Sequence, residues 1–323
     1  FIMQEDGEKM SKSKGNAKSP RDIFNTLGAD ILRLWVASVD YQSDAPFSDN
    51  VLKQVSETYR KIRNTFRFMH GNLADFDVEK DAVAPENMSA LNRYVLNEVN
   101  KHNKKAQDAY EKYDFQRMTT IVSTALTNLM SAYYLDYTKD ILYIEKEDSK
   151  SRREIQTVLY EALLTYSRLM APVLVYTTEE LNRIFRPEDV SIHLERFVEV
   201  KDALLTEEEV SAFERLFELR EAVYKALEDK RAEKVIGKSL EAHVYLNLDE
   251  AFKSQILEVF GEELAQWLIV SKVSFTDEDL EEVQDYIIVV EKIEGSVCAR
   301  CWNIVDDVNE DGLCERCASV LTK

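Results

Sequence analysis

The sequence predicts a mainly α protein: a helical bundle, followed by a small α/β domain and a C-terminal metal module. Three observations carry this. Apolar residues recur at spacings of three and four through most of the first two hundred positions, the pattern of amphipathic helices. Only 8 Gly and 5 Pro stand against 31% charged residues, a balance that favours helices over turn-rich sheets. All four cysteines fall near the C-terminus as two Cys-x-x-Cys pairs.

In chain order, Phe1 to Met3 reads as part of a strand leading into the lysine-rich run GEKMSKSKGN. The stretch from Gly28 to Asp44, GADILRLWVASVDYQSD, precedes a basic helical segment from Ser56 to Phe68, with Trp35 as a core anchor. One apolar stripe follows at Leu91, Val95, Val99, Ala106 and Ala109. A second runs through Phe115, Met118, Val122, Leu126, Leu129 and Tyr133, and a third through Ile155, Val158, Leu159, Ala162, Tyr166 and Leu169. Such helices should pack as a bundle. The polar stretches Asp75 to Glu86 and Glu145 to Arg153 read as connectors. Thr177 with Glu180 fits a capping box opening a short helix that Pro187 ends.

Near residue 200 the pattern changes. Thr206 to Glu233 remains helical, but AHVYLNL from Ala242 and DYIIVVEKI from Asp285 are β-branched and aromatic-rich, hence strands. A helix over Lys253 to Leu264 lies between them. The implied divisions are 1–50, 51–200, 201–292 and 293–323.

The 323 residues suffice for two or three domains, and 45% hydrophobic content fits a folded soluble protein. With no apolar run of membrane-spanning length and no signal-peptide pattern, a cytoplasmic location is expected. The net charge of -19 disfavours general polyanion binding, yet charge is uneven. Residues 51–70 carry Lys53, Arg60, Lys61, Arg63 and Arg67 against Glu57 alone, while residues 201–290 hold 10 basic and 22 acidic side chains. Local patches decide where a phosphate backbone can dock. Arg60, Arg63 and Arg67 share one helix face, which is either a phosphate-contacting stripe or an ordinary solvated face. His70, His102, His193 and His243 are scattered, so a catalytic histidine is not expected.

Cys298 and Cys301, then Cys314 and Cys317, have the spacing with which paired thiolates converge on one tetrahedral Zn²⁺. Two disulfides are the competing arrangement, disfavoured without secretory features. Four protein ligands leave no open position on the metal, so its role is structural. The apolar residues between Cys298 and Leu321 are too few for a core, so the metal should fold this tail and chelation should unfold the tail alone. Trp302 could stack on an RNA base, though covering the small metal core is the simpler role.

Lys9 and Lys12, with Ser11, Ser13 and the following Gly15, suit a loop that closes over a triphosphate and stabilises its redistributing charge. The alternative is a solvated lysine-rich turn. The string Lys-Met-Ser-Lys-Ser at 9–13 resembles the mobile phosphate-binding loop of class I aminoacyl-tRNA synthetases. The residues after it resemble the passage of isoleucyl-tRNA synthetases from catalytic domain through stem-contact segment to helical anticodon-binding domain. CARCWNIVDDVNEDGLCERCASVL at the end resembles the zinc module of many bacterial members, which favours isoleucine over valine or leucine.

The resemblance implies an ATP-dependent ligase that joins L-isoleucine to tRNA(Ile) through isoleucyl-adenylate, using ATP and Mg²⁺. Lys9 and Lys12 would be catalytic, with Lys12 contacting ATP beside Ser11 and Ser13. The hydroxyls can also serve simply to fix the loop through backbone hydrogen bonds. Arg60, Arg63, Arg67 and Trp302 would be tRNA contacts, and Cys298, Cys301, Cys314 and Cys317 the zinc ligands. Lys14 stands where the family more often has an apolar residue. The chain reads as the C-terminal portion of a longer monomeric enzyme, inactive alone because the HIGH motif, amino-acid pocket and editing domain are absent. The alternatives are a valyl- or leucyl-tRNA synthetase, or a non-catalytic tRNA-binding zinc protein.

Overall fold

A computed structural model describes residues 1–4, 6–276, 282–283 and 286–322. The elements, in order, are β1 (Ile2–Met3), α1 (Pro20–Leu27), α2 (Ala29–Ser38), β2 (Ala45–Pro46), α3 (Asp49–Gly71), α4 (Val78–Asp81), α5 (Ala90–Glu111) and α6 (Phe115–Thr124). A π-helical segment, Ala125–Tyr134, leads to α7 (Leu135–Ile144), α8 (Lys150–Met170), α9 (Val175–Phe185) and α10 (Glu207–Ala232). Then come β3 (Ala242–Asn247), α11 (Glu250–Phe260), α12 (Leu264–Trp267), β4 (Lys272–Phe275), β5 (Glu282–Val283), β6 (Tyr286–Lys292), β7 (Ser296–Val297), β8 (Ile304–Val305) and α13 (Glu315–Leu321). The architecture is mainly α, as the apolar spacing predicts. Two compact units result, one of residues 1–82, 95–135 and 156–203, the other of residues 83–94, 136–155 and 204–323.

In the first unit, β1 and β2 pair in parallel, Ile2 opposite Ala45 and Met3 opposite Pro46. Ile23, Trp35, Ala45, Phe47 and Leu52 form the core beneath them, with Met10 packed against it. Trp35 anchors that core, its ring 4.9 Å from Phe47 in a T-shaped contact. α3 starts where the Ser48 hydroxyl accepts from the Val51 amide at 3.2 Å, an N-cap. It buries Ile62, Thr65, Phe66 and Met69 and turns its basic side to solvent. The apolar stripes bury Val95, Val99, Ala106, Met118, Val122, Leu126, Val158 and Leu159. The second stripe passes through the π-helical turn, a rare local geometry that its apolar spacing does not disclose.

The capping box expected at Thr177 is not formed. α9 begins two residues earlier, at Val175, with Leu174 as its N-cap and no side-chain cap bond. Thr177 is buried in the first turn and spends its hydroxyl on Asp30, 2.6 Å away. The stop is nearly as expected, at Phe185 before Pro187. The second connector is shorter than expected because α8 already starts at Lys150.

In the second unit, Thr206 and Glu209 form a true capping box at the start of α10, with amide-to-side-chain bonds of 3.2 and 2.8 Å. The sheet order is β4-β3-β6-β5. β3 runs parallel to β4 and antiparallel to β6. The two expected strands are β3 and β6, although Asp285 lies outside the described residues; β4 is an addition. The helix between them starts at Glu250, three residues early, because Asp249 caps it through the Phe252 amide at 2.8 Å.

Candidate functional site

The lysine loop is built by its own hydrogen bonds. Ser11 caps a single 3₁₀ turn, Lys12–Lys14, its hydroxyl accepting from the Lys14 amide at 3.3 Å and lying 3.2 Å from the Ser13 hydroxyl. Gly15 closes the turn at φ 68°, a left-handed conformation that suits glycine. The Ser11 backbone amide donates to Asn16 Oδ1 at 2.8 Å, and the Asn16 side-chain Nδ2 donates to the Lys9 carbonyl at 3.4 Å. Ser11 therefore shapes the loop through the backbone, as its size and polarity predict, whereas Ser13 meets the Ser11 hydroxyl.

The loop's cations stand in different environments. Lys9 bridges to Met3 along the backbone, and its ammonium sits 3.4 Å from the centre of the Phe1 ring. Lys14 pairs with Glu8 at 3.0 Å, which neutralises the charge that distinguishes it from an apolar residue. Lys12 is exposed and, among the described residues, has no ion pair. An ammonium on a capped, glycine-hinged turn can swing to a phosphate without first breaking a salt bridge.

Arg60, Arg63 and Arg67 all lie exposed on α3, but they are not equivalent. Arg63 holds Glu180 of α9 at 2.8 Å, and that hydrogen-bonded carboxylate raises its pKa further. Among the described residues, Arg60 and Arg67 carry no ion pair, so they are the free cations of the stripe.

A groove of about 1160 Å³ opens in the same unit, lined by Phe24, Val36, Tyr41, Phe115 and Tyr176 among others. None of the loop residues 9–13 lines it. Its residues are distant in sequence, so no local pattern announces it.

The four cysteines converge in the second unit. Their sulfurs lie within 4.8 Å of one another and all four are buried. Cys301 and Cys314 Sγ are 3.7 Å apart, close to the ~3.8 Å edge of a sulfur tetrahedron around Zn²⁺ at about 2.3 Å per bond. Burial disfavours thiolates here and pushes Cys301 and Cys317 up; at Cys298 it is outweighed by backbone N–H groups of Cys301, Cys314 and Arg300, which hold the thiol at about 6. Buried thiolates crowded this closely repel one another, and a cation reconciles them. The donor set is all sulfur and fully closed, the form of a structural zinc site.

The surroundings of this cluster correct two expectations. Trp302 does not cover the metal core: it is 69% exposed. The cluster is closed instead by Ile144, Val305 and Leu313. Trp302 also adopts φ 65°, unusual for a bulky residue, where its amide bonds the Cys298 carbonyl at 3.0 Å. The tail is also not a separate fold, since Ile144 belongs to α7. Arg316, beside ligand Cys317, reaches Asp140 at 2.6 Å and Glu145 at 2.7 Å. Gly295 permits the closure of β7 on β8, because a Cβ there would stand 2.4 Å from the Val305 carbonyl oxygen.

Comparison with known proteins places these sites in one family. The family "Anticodon-binding domain of tRNA ligase" matches residues 92–246. "tRNA synthetases class I (I, L, M and V)" matches residues 1–48, which contain the lysine loop. "Zinc finger found in FPG and IleRS" matches residues 295–320, which contain all four cysteines. The chain is 41% identical to isoleucine–tRNA ligase of Geobacillus thermodenitrificans, covering 100% of this chain and 36% of that protein. It is 42% identical to the Bacillus licheniformis isoleucine–tRNA ligase, covering 99% of this chain and 36% of the relative. In fold it resembles an Agrobacterium radiobacter K84 LeuRS solved in a ternary complex with tRNA and LeuAMS, with TM-score 0.50, 17% identity, and 82% and 29% of the two chains covered. No described helix is long and apolar enough to cross a membrane. The chain spans about a third of the length of the curated relatives it matches, and it belongs to the isoleucyl branch of the class I tRNA synthetases.

Proposed function

We propose that the chain is the part of an isoleucine–tRNA ligase that supplies the lysine loop and the tRNA-holding surfaces. The observation that supports this most is identity of 41–42% to isoleucine–tRNA ligases along essentially the whole chain, with the family's four-cysteine zinc finger intact. In the complete enzyme, ATP and isoleucine form isoleucyl-adenylate and pyrophosphate, and the isoleucyl group then passes to tRNA(Ile).

Lys12 is free to approach the triphosphate and stabilise charge as it moves toward pyrophosphate. Lys9, nearer the strand end, contributes a second cation, and Ser11 and Ser13 keep the turn in shape. Mg²⁺ accompanies ATP and supplies charge neutralisation at the phosphates. The exposed cations of α3, Arg60 and Arg67, hold the tRNA backbone, with Arg63 and Trp302 as further contacts. Residues 1–50 complete a catalytic domain, 51–200 and 201–292 carry the anticodon-binding and small α/β domains, and 293–323 the zinc module. The enzyme is a cytoplasmic monomer.

The test is ATP–pyrophosphate exchange by the complete polypeptide with isoleucine, valine or leucine supplied in turn. Isoleucine should drive exchange most strongly, and the present chain alone should bind tRNA without exchange. Exchange driven by valine or leucine instead would reassign the enzyme. Exchange with none of them would leave a non-catalytic tRNA-binding protein.

A further inference from the structure

The sheet of the second unit is dry on one face and open on the other. Ala242, Val244 and Leu246 of β3 and Ile288 and Val290 of β6 are buried. The alternate residues His243, Tyr245, Asn247, Ile287 and Val289 are only half-buried, and Lys272 and Glu291 are exposed. Since successive strand residues point to opposite faces, the second set forms one continuous surface. Register orders it: Lys272, His243 and Glu291 make one row, and Ser274, Tyr245 and Val289 the next.

At its centre, on an interior strand, the His243 and Tyr245 rings stack with centroids 4.0 Å apart at 29°. His243 Nε2 lies 2.8 Å from the Ser274 hydroxyl, so the imidazole is fixed rather than free to turn away. The outer face thus offers ring surfaces and hydroxyls within a few ångströms. That is the chemistry by which unpaired bases are held: stacking on aromatics, with hydrogen bonds to base edges. Lys272 and Glu291 flank His243 with opposite charge, and residues 201–290 are acidic as a whole. Among the described residues, the Lys272 charge in this row is offset by Glu291 on the other side of His243, so a base suits this face better than a phosphate backbone.

We infer that the open sheet face around the stacked pair His243 and Tyr245 receives an unpaired base of the bound tRNA. The inference rests on the tRNA-binding function proposed above and adds the surface that reads a base. The anticodon-binding family match runs to residue 246 and so takes in both rings. Division of labour follows: the α3 cations hold phosphates and respond to salt, whereas the sheet holds a base and does not.

The experiment titrates this chain with a fluorescently labelled isoleucine tRNA transcript across a salt series. His243→Ala with Tyr245→Ala should weaken binding about 5- to 150-fold, the loss expected for one stacked base. The slope of log K against log salt should be unchanged, and Tyr245→Phe should retain near-native affinity. Unaltered affinity in the double variant, with the native chain binding normally, would overturn the base-binding face and leave the general tRNA reading intact. Failure of the native chain to bind the transcript would overturn both. To guard against misfolding of the variant, the native chain is also crosslinked to tRNA carrying 4-thiouridine at its unpaired uridines. Crosslinks mapped to His243, Tyr245 or Ser274 support the inference, and crosslinks confined to other elements overturn it.

Discussion

Asp30 on α2 caps a helix that begins 145 residues further along the chain. Its Oδ2 accepts from the Thr177 amide at 2.8 Å and from the Thr177 hydroxyl at 2.6 Å, while Oδ1 accepts from the Tyr176 amide at 3.3 Å. α9 lacks a local side-chain cap, since Leu174 occupies that position. The carboxylate therefore satisfies amides the helix leaves unpaired and lies at the positive end of the helix dipole. It fixes the segment that follows the lysine loop to the helical bundle, within one unit.

Replacing Asp30 with Ala should destabilise that unit by about 2 kcal/mol, the upper range for a lost cap combined with buried donors left unsatisfied. Asp30→Asn should cost less, because one oxygen still accepts. Urea melts of the three proteins would measure this. Equal midpoints would show that α9 starts without help from α2.

This contact also marks where sequence reasoning stops. Thr177 followed by Glu180 has the spacing of a capping box, as does Thr206 followed by Glu209, yet only the second forms one. The difference is the distant Asp30, which engages Thr177 and lets the helix begin earlier. Local regularities were legible: the apolar stripes, β3 and β6, and the cysteine spacing all express periods of a few residues. The π turn at Ala125–Tyr134, the parallel partner β4 and the seat of the zinc cluster on Ile144 depend on long-range packing, which leaves no local period. For the same reason the exposed side of Trp302 could not be read from its place beside a ligand.

Removing zinc should disturb α7 as well as the tail. Cys298, Cys301, Cys314 and Cys317 share a core with Ile144, and Arg316 bonds Asp140 and Glu145. Hydrogen exchange after chelation should therefore accelerate at residues 140–145 together with 296–321. Arg316→Ala should retain one zinc per chain by elemental analysis while loosening the end of α7 by about 1–3 kcal/mol, as two carboxylates lose their partner. Exchange confined to the tail would detach the module from α7.

Acid should weaken the first unit through His102. Burial lowers its pKa below the ordinary value of 6.5, and its Nδ1 lies 3.0 Å from the buried Tyr166 hydroxyl. Below about 6.5 the unfolded chain takes up a proton that the folded chain resists, so stability rises with pH up to that value and flattens above it. His102→Gln should reduce the slope between the lowered folded pKa and 6.5, read from urea midpoints at a series of pH values. An unchanged slope would assign the acid sensitivity to other groups.

The three arginines of α3 should contribute unequally to RNA binding. Arg63 already donates to Glu180 across 2.8 Å, so part of its charge is spent inside the protein, whereas Arg60 and Arg67 face solvent without an ion pair among the described residues. Each phosphate contact removed should reduce the magnitude of the log K against log salt slope by about 0.7 to 0.9. Arg60→Ala and Arg67→Ala should each approach that value with an isoleucine tRNA transcript. Arg63→Ala should lower affinity too, since it uncovers the Glu180 carboxylate, but it removes less free positive charge and should change the slope least. Adding Glu180→Gln to Arg63→Ala separates the two effects: affinity should recover in part if repulsion by Glu180 was the cause. Equal slopes for all three single variants would show that the ion pair with Glu180 opens on binding, and three unchanged slopes would move the phosphate contacts off α3.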